Sequence, residues 1–361
     1  MGLPLKVHSS AAQVNAAVAA AVLVIWGLAS WGGNKPTTTN EPVKMGVIAP
    51  LSGDFAAIGE ELKRGIDLAV EQLKSHGTNI SVMYEDDMFD PKQAATAAQK
   101  LINIDKVNLV VLFSVEEATP VIPIFENNKV PLVVLWDSNA FLKDAGDYVF
   151  SNGFSTEKAG QLMADFASST LKLKRVAVIS HIDAWSEIIS QAFADQFKSN
   201  GGEVIYTDAV QVGTSDFRLT VTKLKSAKPD SVYVPLIPFD SVSFIKQAKE
   251  LGLNVPIMSG DALIQDVIDA SGDASKNIYF TNAYSDNLEL INDLYTEKYG
   301  KEMSAPVYVA SAFDGVIKIG QGLAGSKNIK VALDSVFGPT RSADRIEKIY
   351  QVKDGVPVEV K

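Results

Sequence analysis

The 361-residue chain has no cysteine. That excludes disulfides, thiol catalysis, thiolate metal sites and a lipid on an amino-terminal cysteine. It leaves the compartment open, because exported proteins often manage without disulfides. Histidine is nearly absent too: His8, His76 and His181 are the only three, too few for a histidine metal centre. The chain has no P-loop pattern and no G-x-S-x-G. Gly320-Gln321-Gly322-Leu323-Ala324-Gly325 fits G-x-G-x-x-G but follows a helical stretch, Val307 to Ile319. A dinucleotide loop must instead follow a strand and open a helix, so this one reads as a glycine-rich helix terminus. The acidic run Glu85-Asp86-Asp87 with Asp90 lacks the spacing and glycine of a calcium loop, and reads as helix capping and a solvated loop. No cofactor and no metal is therefore expected. Positive charge is also in deficit. The formal net charge is −10, which disfavours nucleic acid and anionic lipid as partners.

What is present is an ordinary globular composition, 47% hydrophobic and 21% charged, which argues against disorder and against a polytopic membrane protein. The length favours two domains. Lys6 precedes a stretch free of Asp, Glu, Lys and Arg that runs to Asn34, within which Ala16 to Leu28 is almost wholly apolar. That core is short for a membrane span and suits a secretory signal, with Gly27 and Ala29 as a small-x-small cleavage pattern. Residues 1–30 are expected to be a signal peptide or amino-terminal anchor. Residues 31–42, with Lys35-Pro36-Thr37-Thr38-Thr39, are expected to be a polar linker.

From Val43 onward, short apolar runs alternate with helical periodicity. Lys44–Ala49, Ile80–Tyr84, Asn108–Phe113 and Val130–Leu135 read as strands; Ile58, Leu62, Ile66, Ala69, Val70 and Leu73 recur at helical spacing; Asp90-Pro91 opens a helix over 94–104; and Val121–Asn127 reads as helical. The rhythm restarts after Phe150. Strands are predicted at Arg175–Ser180, Val204–Asp208, Ser231–Leu236, Pro256–Ser259 and Asn277–Thr281, and a final hairpin turns at Asp354-Gly355. Repeated βα units imply parallel sheets covered on both faces. The expected fold is α/β, two doubly wound parallel-sheet lobes joined by a three-crossing hinge. Lobe one is assigned 43–150 and 283–340, and lobe two 151–282 and 341–361.

In such folds ligands sit at the carboxyl ends of strands. The candidate binding residues on those loops are Ser52, Ser114, Glu116, Asp137, Ser138, Asn139, Trp185, Phe239 and Asp261, with Glu117 and Asp183 beside them. Singly each is bland, since loops carry polar residues by default. Their shared position at one edge of each sheet is the argument.

Four stretches in order resemble the leucine/isoleucine/valine-binding proteins, the type I periplasmic solute-binding proteins of ABC importers. They are Gly46-Val47-Ile48-Ala49-Pro50-Leu51-Ser52-Gly53 with Gly59; Asp90-Pro91-Lys92-Gln93-Ala94; Asp216-Phe217-Arg218 through Pro229-Asp230; and Ser311-Ala312-Phe313-Asp314-Gly315. The resemblance implies two lobes that close on a small solute, with crossings near Phe150, Asn282 and Arg341, and delivery of the solute by a monomer to a membrane permease. It implies that lobe-one hydroxyls and amides hold an α-carboxylate, here near Ser138 and Asn139. It further implies that Asp261 takes an α-ammonium and that Trp185 stands where an aromatic ring covers the ligand.

The chain departs from that pattern at Ser114-Val115-Glu116-Glu117, Trp136-Asp137 and Pro238-Phe239. Acids beside a carboxylate pocket would repel an anion by about 1 kcal/mol or more. An amide, a polyamine-like cation or a basic amino acid is therefore expected in place of a simple branched-chain amino acid. The rival placement turns Glu116 and Glu117 outward in the first turn of a helix, where the dipole favours acids. Two other functions stay open at this level. One is a ligand-sensing module; the other is a hydrolase using carboxylates such as Asp137 and Asp261 across a cleft.

Overall fold

The computed structural model describes residues 41–138, 142, 144–342, 345 and 347–360. The readings for residues 1–40 and for Asn139 fall outside this set. Residues 41–361 form one compact unit.

The first sheet has the order β2-β1-β3-β4-β6, all parallel, from β1 (Val43–Ala49), β2 (Ile80–Asp86), β3 (Leu109–Leu112), β4 (Leu132–Val134) and β6 (Val149–Ser151). Every residue of β3 and β4 is buried, as helices on both faces require. Helices α1 (Ala56–Ser75), α2 (Pro91–Asn103) and α3 (Val115–Asn128) connect these strands. The second sheet runs β14-β13-β12-β11-β10-β8-β9. It is built from β8 (Arg175–His181), β9 (Glu203–Val210), β10 (Ser231–Tyr233), β11 (Ile257–Ser259), β12 (Tyr279–Ala283), β13 (Glu347–Lys353) and β14 (Val356–Glu359). It is parallel from β9 to β12, and β13 and β14 add an antiparallel hairpin. Helices α4 (Thr156–Ser169) and α5 (Ala184–Ser199) cover one face. Helices α6 (Arg218–Ala227), α7 (Pro238–Glu250) and α8 (Gln265–Ser271) cover the other.

The chain passes between the halves three times. It leaves the first sheet after β6. It returns after β12, so that α9 (Leu288–Tyr299), α10 (Pro306–Gly325) and α11 (Ile329–Phe337) pack on α1 and β6, and it goes back to the second sheet at β13. At the first crossing, β5 (Asp137–Ser138) pairs with β7 (Phe154–Ser155) in a separate two-stranded sheet. Gly153 makes that pairing possible, because a Cβ there would lie 2.3 Å from the Asp137 carbonyl carbon.

Several sequence readings need correction. The helix expected over Val121–Asn127 begins six residues earlier, at Val115, and runs through Pro120 and Pro123. Each proline removes an amide from the helix interior, a cost that ordinarily ends a helix; here Ser114 and Glu117 offset it with a reciprocal capping box. The helices α8 and α11 and the β5/β7 pair were not anticipated. The reading of Gly320 to Gly325 as a glycine-rich helix terminus holds: they form the end of α10. In the acidic run, Asp90 does cap α2, accepting from the amides of Lys92 and Gln93. Asp87, however, is fully buried, not solvated.

Candidate functional site

In the first sheet β1 lies between β2 and β3, and in the second β8 lies between β9 and β10. Successive connections reverse direction there, and the crevice outside the carboxyl ends at such points is where α/β sheets hold ligands. The loops after β1, β3, β4, β8, β10 and β11 form that crevice.

The first-lobe wall is occupied by its own carboxylates. After β1, the amides of Leu51 and Ser52 donate to Asp86 Oδ1 at 2.9 and 3.2 Å, and the Ser52 hydroxyl donates to Asp86 Oδ2. These bonds hold the Asp86 carboxyl below its usual value against the opposing effect of burial. Gly59 lets α1 start beneath this loop, because a Cβ would fall 1.9 Å from the Pro50 oxygen. At the start of α3, an anion site by virtue of its free amides, the amides are already engaged. Ser114 N–H and Oγ–H donate to Glu117 Oε2 at 3.0 and 2.7 Å, and Glu116 N–H donates to Ser114 Oγ at 3.2 Å. Val115 N–H donates to Asp137 Oδ1 at 2.8 Å. Glu117 and Asp87 are both buried, and desolvation raises both carboxyls; the neighbouring Asp87 raises Glu117 further, whereas the contact with the Glu117 carboxyl partly lowers Asp87.

Glu117 Oε1 and Asp87 Oδ2 on the first-lobe wall have no partner among the described residues, and the second-lobe wall carries unpartnered oxygens too. Asp183 caps α5 through Ser186 N–H at 2.7 Å. Asp261, 1% exposed, accepts from the indole N–H of Trp136 at 3.1 Å through Oδ2. Neither its Oδ1 nor the Trp185 indole nitrogen has a hydrogen-bond partner among the described residues, although that indole lies near enough to lower the Asp261 carboxyl. Contacts that join the lobes across the crevice include Trp136 with Asp261, Glu116 Oε1 with the Trp185 amide at 3.3 Å, and the ring of Phe239 edge-on to Phe55 at 6.2 Å. Trp136 packs against Tyr308 and Phe154 at 4.1 and 4.9 Å between ring centres.

Burial dominates the electrostatics. Desolvation pushes Asp261 up to about 7. Asp137 also rises to about 7, by desolvation and then by the charges of Asp261 and Glu116, against the Val115 amide that lowers it. Asp183 rises to about 6 by desolvation, with Glu116 adding to it. Arg345 is the buried cation at the third crossing, and its guanidinium is turned to Ser311 Oγ, Asp314 Oδ2 and the Tyr284 carbonyl at 2.6, 3.2 and 3.4 Å.

Of the residues singled out from sequence, the structure brings Glu116, Asp137, Trp185 and Asp261 together. Ser52 and Ser114 line the same wall with their hydroxyl protons spent internally. Ser138 joins the β5/β7 pair through its backbone. Phe239 sits at the mouth, half exposed. Of the two acids in α3, Glu117 turns inward to its own helix start while Glu116 reaches the opposite lobe. His181 does not face the crevice: it is fully buried, with Nε2 2.8 Å from Asp240 and Nδ1 accepting from Ile237 N–H at 3.3 Å. Sequence reasoning did not single out Trp136, although it stood in a noted departure, nor Tyr233, Thr281 and Glu347, which lie on β10, β12 and β13. Strand alternation alone cannot say which buried strand residues abut a crevice.

These features define a class: a two-lobed α/β binding protein whose site is assembled from both lobes at their switch points. The chain belongs to the periplasmic binding protein family, whose model matches residues 42–332. It is 29% identical over 301 residues to a Leu/Ile/Val-binding protein homologue of Brucella melitensis, covering 81% of this chain and 82% of that protein. Among solved structures it resembles a leucine-binding protein, LivK, of Thermotoga maritima, with 26% identity, a TM-score of 0.78 and coverage of 88% of this chain and 98% of the other. A solute-binding protein of R. palustris in complex with 4-hydroxybenzoate shares the fold, with a TM-score of 0.81, 23% identity and coverage of 89% and 96%.

Proposed function

We propose that this chain is the extracytoplasmic solute-binding component of an ABC importer, and that its solute presents nitrogen to the second lobe in place of a carboxylate to the first. One observation carries the ligand assignment. The amides and hydroxyls at the start of α3, which would hold an anion, already donate to Glu117, Asp137 and Ser114. Asp137 stands where a ligand carboxylate would otherwise take the Val115 amide. Across from it, Asp261 offers a buried oxygen with no partner among the described residues, which suits an ammonium or amide N–H. The site residues in this reading are Glu116, Asp137, Trp136, Trp185 and Asp261, with Phe239 and Phe55 at the mouth.

The protein acts by capture, not catalysis. The solute bridges both walls and shifts the population toward the closed arrangement, and a permease receives it from a monomeric binding protein. Among the described residues no helix is long and apolar enough to cross a membrane.

The test is a thermal-shift screen of the full chain against branched-chain amino acids, basic amino acids, primary amines, amides and benzoates. A ligand at about 100 times its Kd adds about 2.7 kcal/mol. Shifts with amines or amides and none with leucine support the reading. A shift with leucine or benzoate alone overturns it, because either would need the anion site that Glu117 and Asp137 fill.

A further inference from the structure

Beyond Asp261 the second sheet carries a second group of buried oxygens. Strand β13 runs antiparallel, so its first residue, Glu347, lies opposite Ala283 at the carboxyl end of β12, and Ile349 lies opposite Thr281. Paired residues and those two apart share a face, so Thr281 and Glu347 point the same way. Ile349 and Tyr233 of β10 belong to one apolar cluster on that face, beneath α4 and α5. Tyr233 and Thr281 are fully buried. Among the described residues the Tyr233 hydroxyl, the Thr281 hydroxyl and both Glu347 carboxylate oxygens have no hydrogen-bond partner, and Asp261 Oδ1 joins them. The negative charges of Asp261 and Glu347 are felt at the Tyr233 hydroxyl, and that of Asp261 at Glu347. These groups therefore border one space at the ends of four neighbouring strands.

Among the described residues no cation is hydrogen-bonded to either Glu347 oxygen. Arg345, two residues before Glu347, is turned to Asp314, Ser311 and the Tyr284 carbonyl. Lys348 pairs with Glu359 at 2.9 Å. Near Asp261, Asp137 is an acid and Tyr308 a phenol, and Asp137 and Asp183 both feel the further acid Glu116; the helix α4 packed on this face carries Glu157 and Lys158 in its first turn. A buried carboxyl with no donor at either oxygen is costly, and hydroxyls beside it supply the acceptors that an ammonium, with its three donors, requires. A metal is not the natural occupant: among the described residues no group of three or more His, Cys, Asp or Glu could hold one.

We propose that Glu347, with the hydroxyls of Tyr233 and Thr281, forms a second nitrogen subsite beyond Asp261, and that the solute carries two positively charged nitrogens, one at each carboxylate. This rests on the assignment of Asp261 to a nitrogen. Asp261 and Glu347 flank β12, so their backbones are two strand spacings apart, roughly 10 Å. With both side chains reaching inward, the gap fits a short aliphatic diamine or an amine of that length.

The experiment is isothermal titration of the full chain with 1,4-diaminobutane, 1,5-diaminopentane and n-butylamine, repeated in two buffers of different ionisation enthalpy. A diamine should bind at least about 100-fold more tightly than butylamine, the scale of one buried charge pair, and should release protons as it binds. Glu347→Gln should bring the diamine to within about threefold of butylamine and leave butylamine unchanged, while Asp261→Asn should weaken both. Tyr233→Phe, which removes one oxygen and keeps the ring, should weaken the diamine alone, and it serves should the Glu347 variant fail to fold. Equal affinity for mono- and diamine, or equal losses for both on Glu347→Gln, would overturn the second subsite while leaving Asp261 as a nitrogen site. Binding of neither amine, with a shift by a carboxylate solute, would overturn the reading beneath it.

Discussion

The two lobes meet the crevice with walls of opposite character. In the first, the strand-end loops close on themselves: Asp86 gathers the amides of Leu51, Ser52 and Met88, and α3 spends its opening amides on Glu117, Asp137 and Ser114. In the second, Asp261, Tyr233, Thr281 and Glu347 keep oxygens without partners among the described residues. The first wall thus has its opening amides taken by its own carboxylates, although Asp87 Oδ2 and Glu117 Oε1 also lack partners among the described residues, whereas the second gathers a larger group of oxygens without donors. The parallel strands of the two sheets follow the same order, so the difference lies in a few loop and strand-end residues and in the antiparallel hairpin that only the second sheet carries.

The comparison predicts its own perturbations. The largest effect is on pH dependence. Asp137 and Asp261 have folded-state values near 7, above the roughly 4 of an unfolded aspartate. The folded state therefore holds more protons between those values, and stability is full below about pH 4 and is lost as pH rises through 7, by at most about 4 kcal/mol per carboxyl. Asp86 has the opposite sign, its contribution lost as pH falls through its lowered value. Urea denaturation of the solute-free protein at pH 5 and pH 8 should show the acidic condition more stable, and Asp137→Asn with Asp261→Asn should flatten the difference. A profile that rises from pH 5 to 8 would mean the two aspartates are not held in a low dielectric.

Next in size is solute binding. Asp261→Asn should weaken a cationic solute by about 100-fold, near 3 kcal/mol, while Ser52→Ala should change its affinity by less than about threefold. Comparable losses in the two variants would erase the asymmetry between the walls. A smaller effect concerns the first wall alone. Ser114→Ala removes the cap of a helix that already carries two prolines, and should cost about 1 kcal/mol in chemical denaturation. The smallest is at the mouth. Phe239→Ala should alter stability by no more than about 0.5 kcal/mol, since the ring is 51% exposed. By loosening its edge contact with Phe55 it should speed solute release, measurable by stopped-flow competition.

Much of the fold was legible before any coordinates, because alternation of short buried strands with amphipathic helices leaves few arrangements. Asp90 before Pro91 marked a helix start outright. Legibility failed where local rules were overruled. Pro120 and Pro123 hid the first half of α3, which only its cap and its packing between sheet and solvent sustain. The candidate site was half legible: Glu116, Asp137, Trp185 and Asp261 stood out because polar or aromatic residues at strand ends are conspicuous. Trp136 did not, since a tryptophan after a buried strand reads as core.

By itself the sequence determined the class of fold and, having no cysteine, excluded thiol chemistry, both of which follow from residue types and their period. Only the tertiary structure decided which charges meet. Whether Glu117 turns inward and Glu116 crosses to Trp185 depends on one position along a helix. Glu347 reaches the ends of β10 to β12 only because the chain returns a third time to lay β13 antiparallel beside β12. Spacing in sequence carries no trace of that, since Asp261 and Glu347 are brought together by a sheet register and not by any local preference.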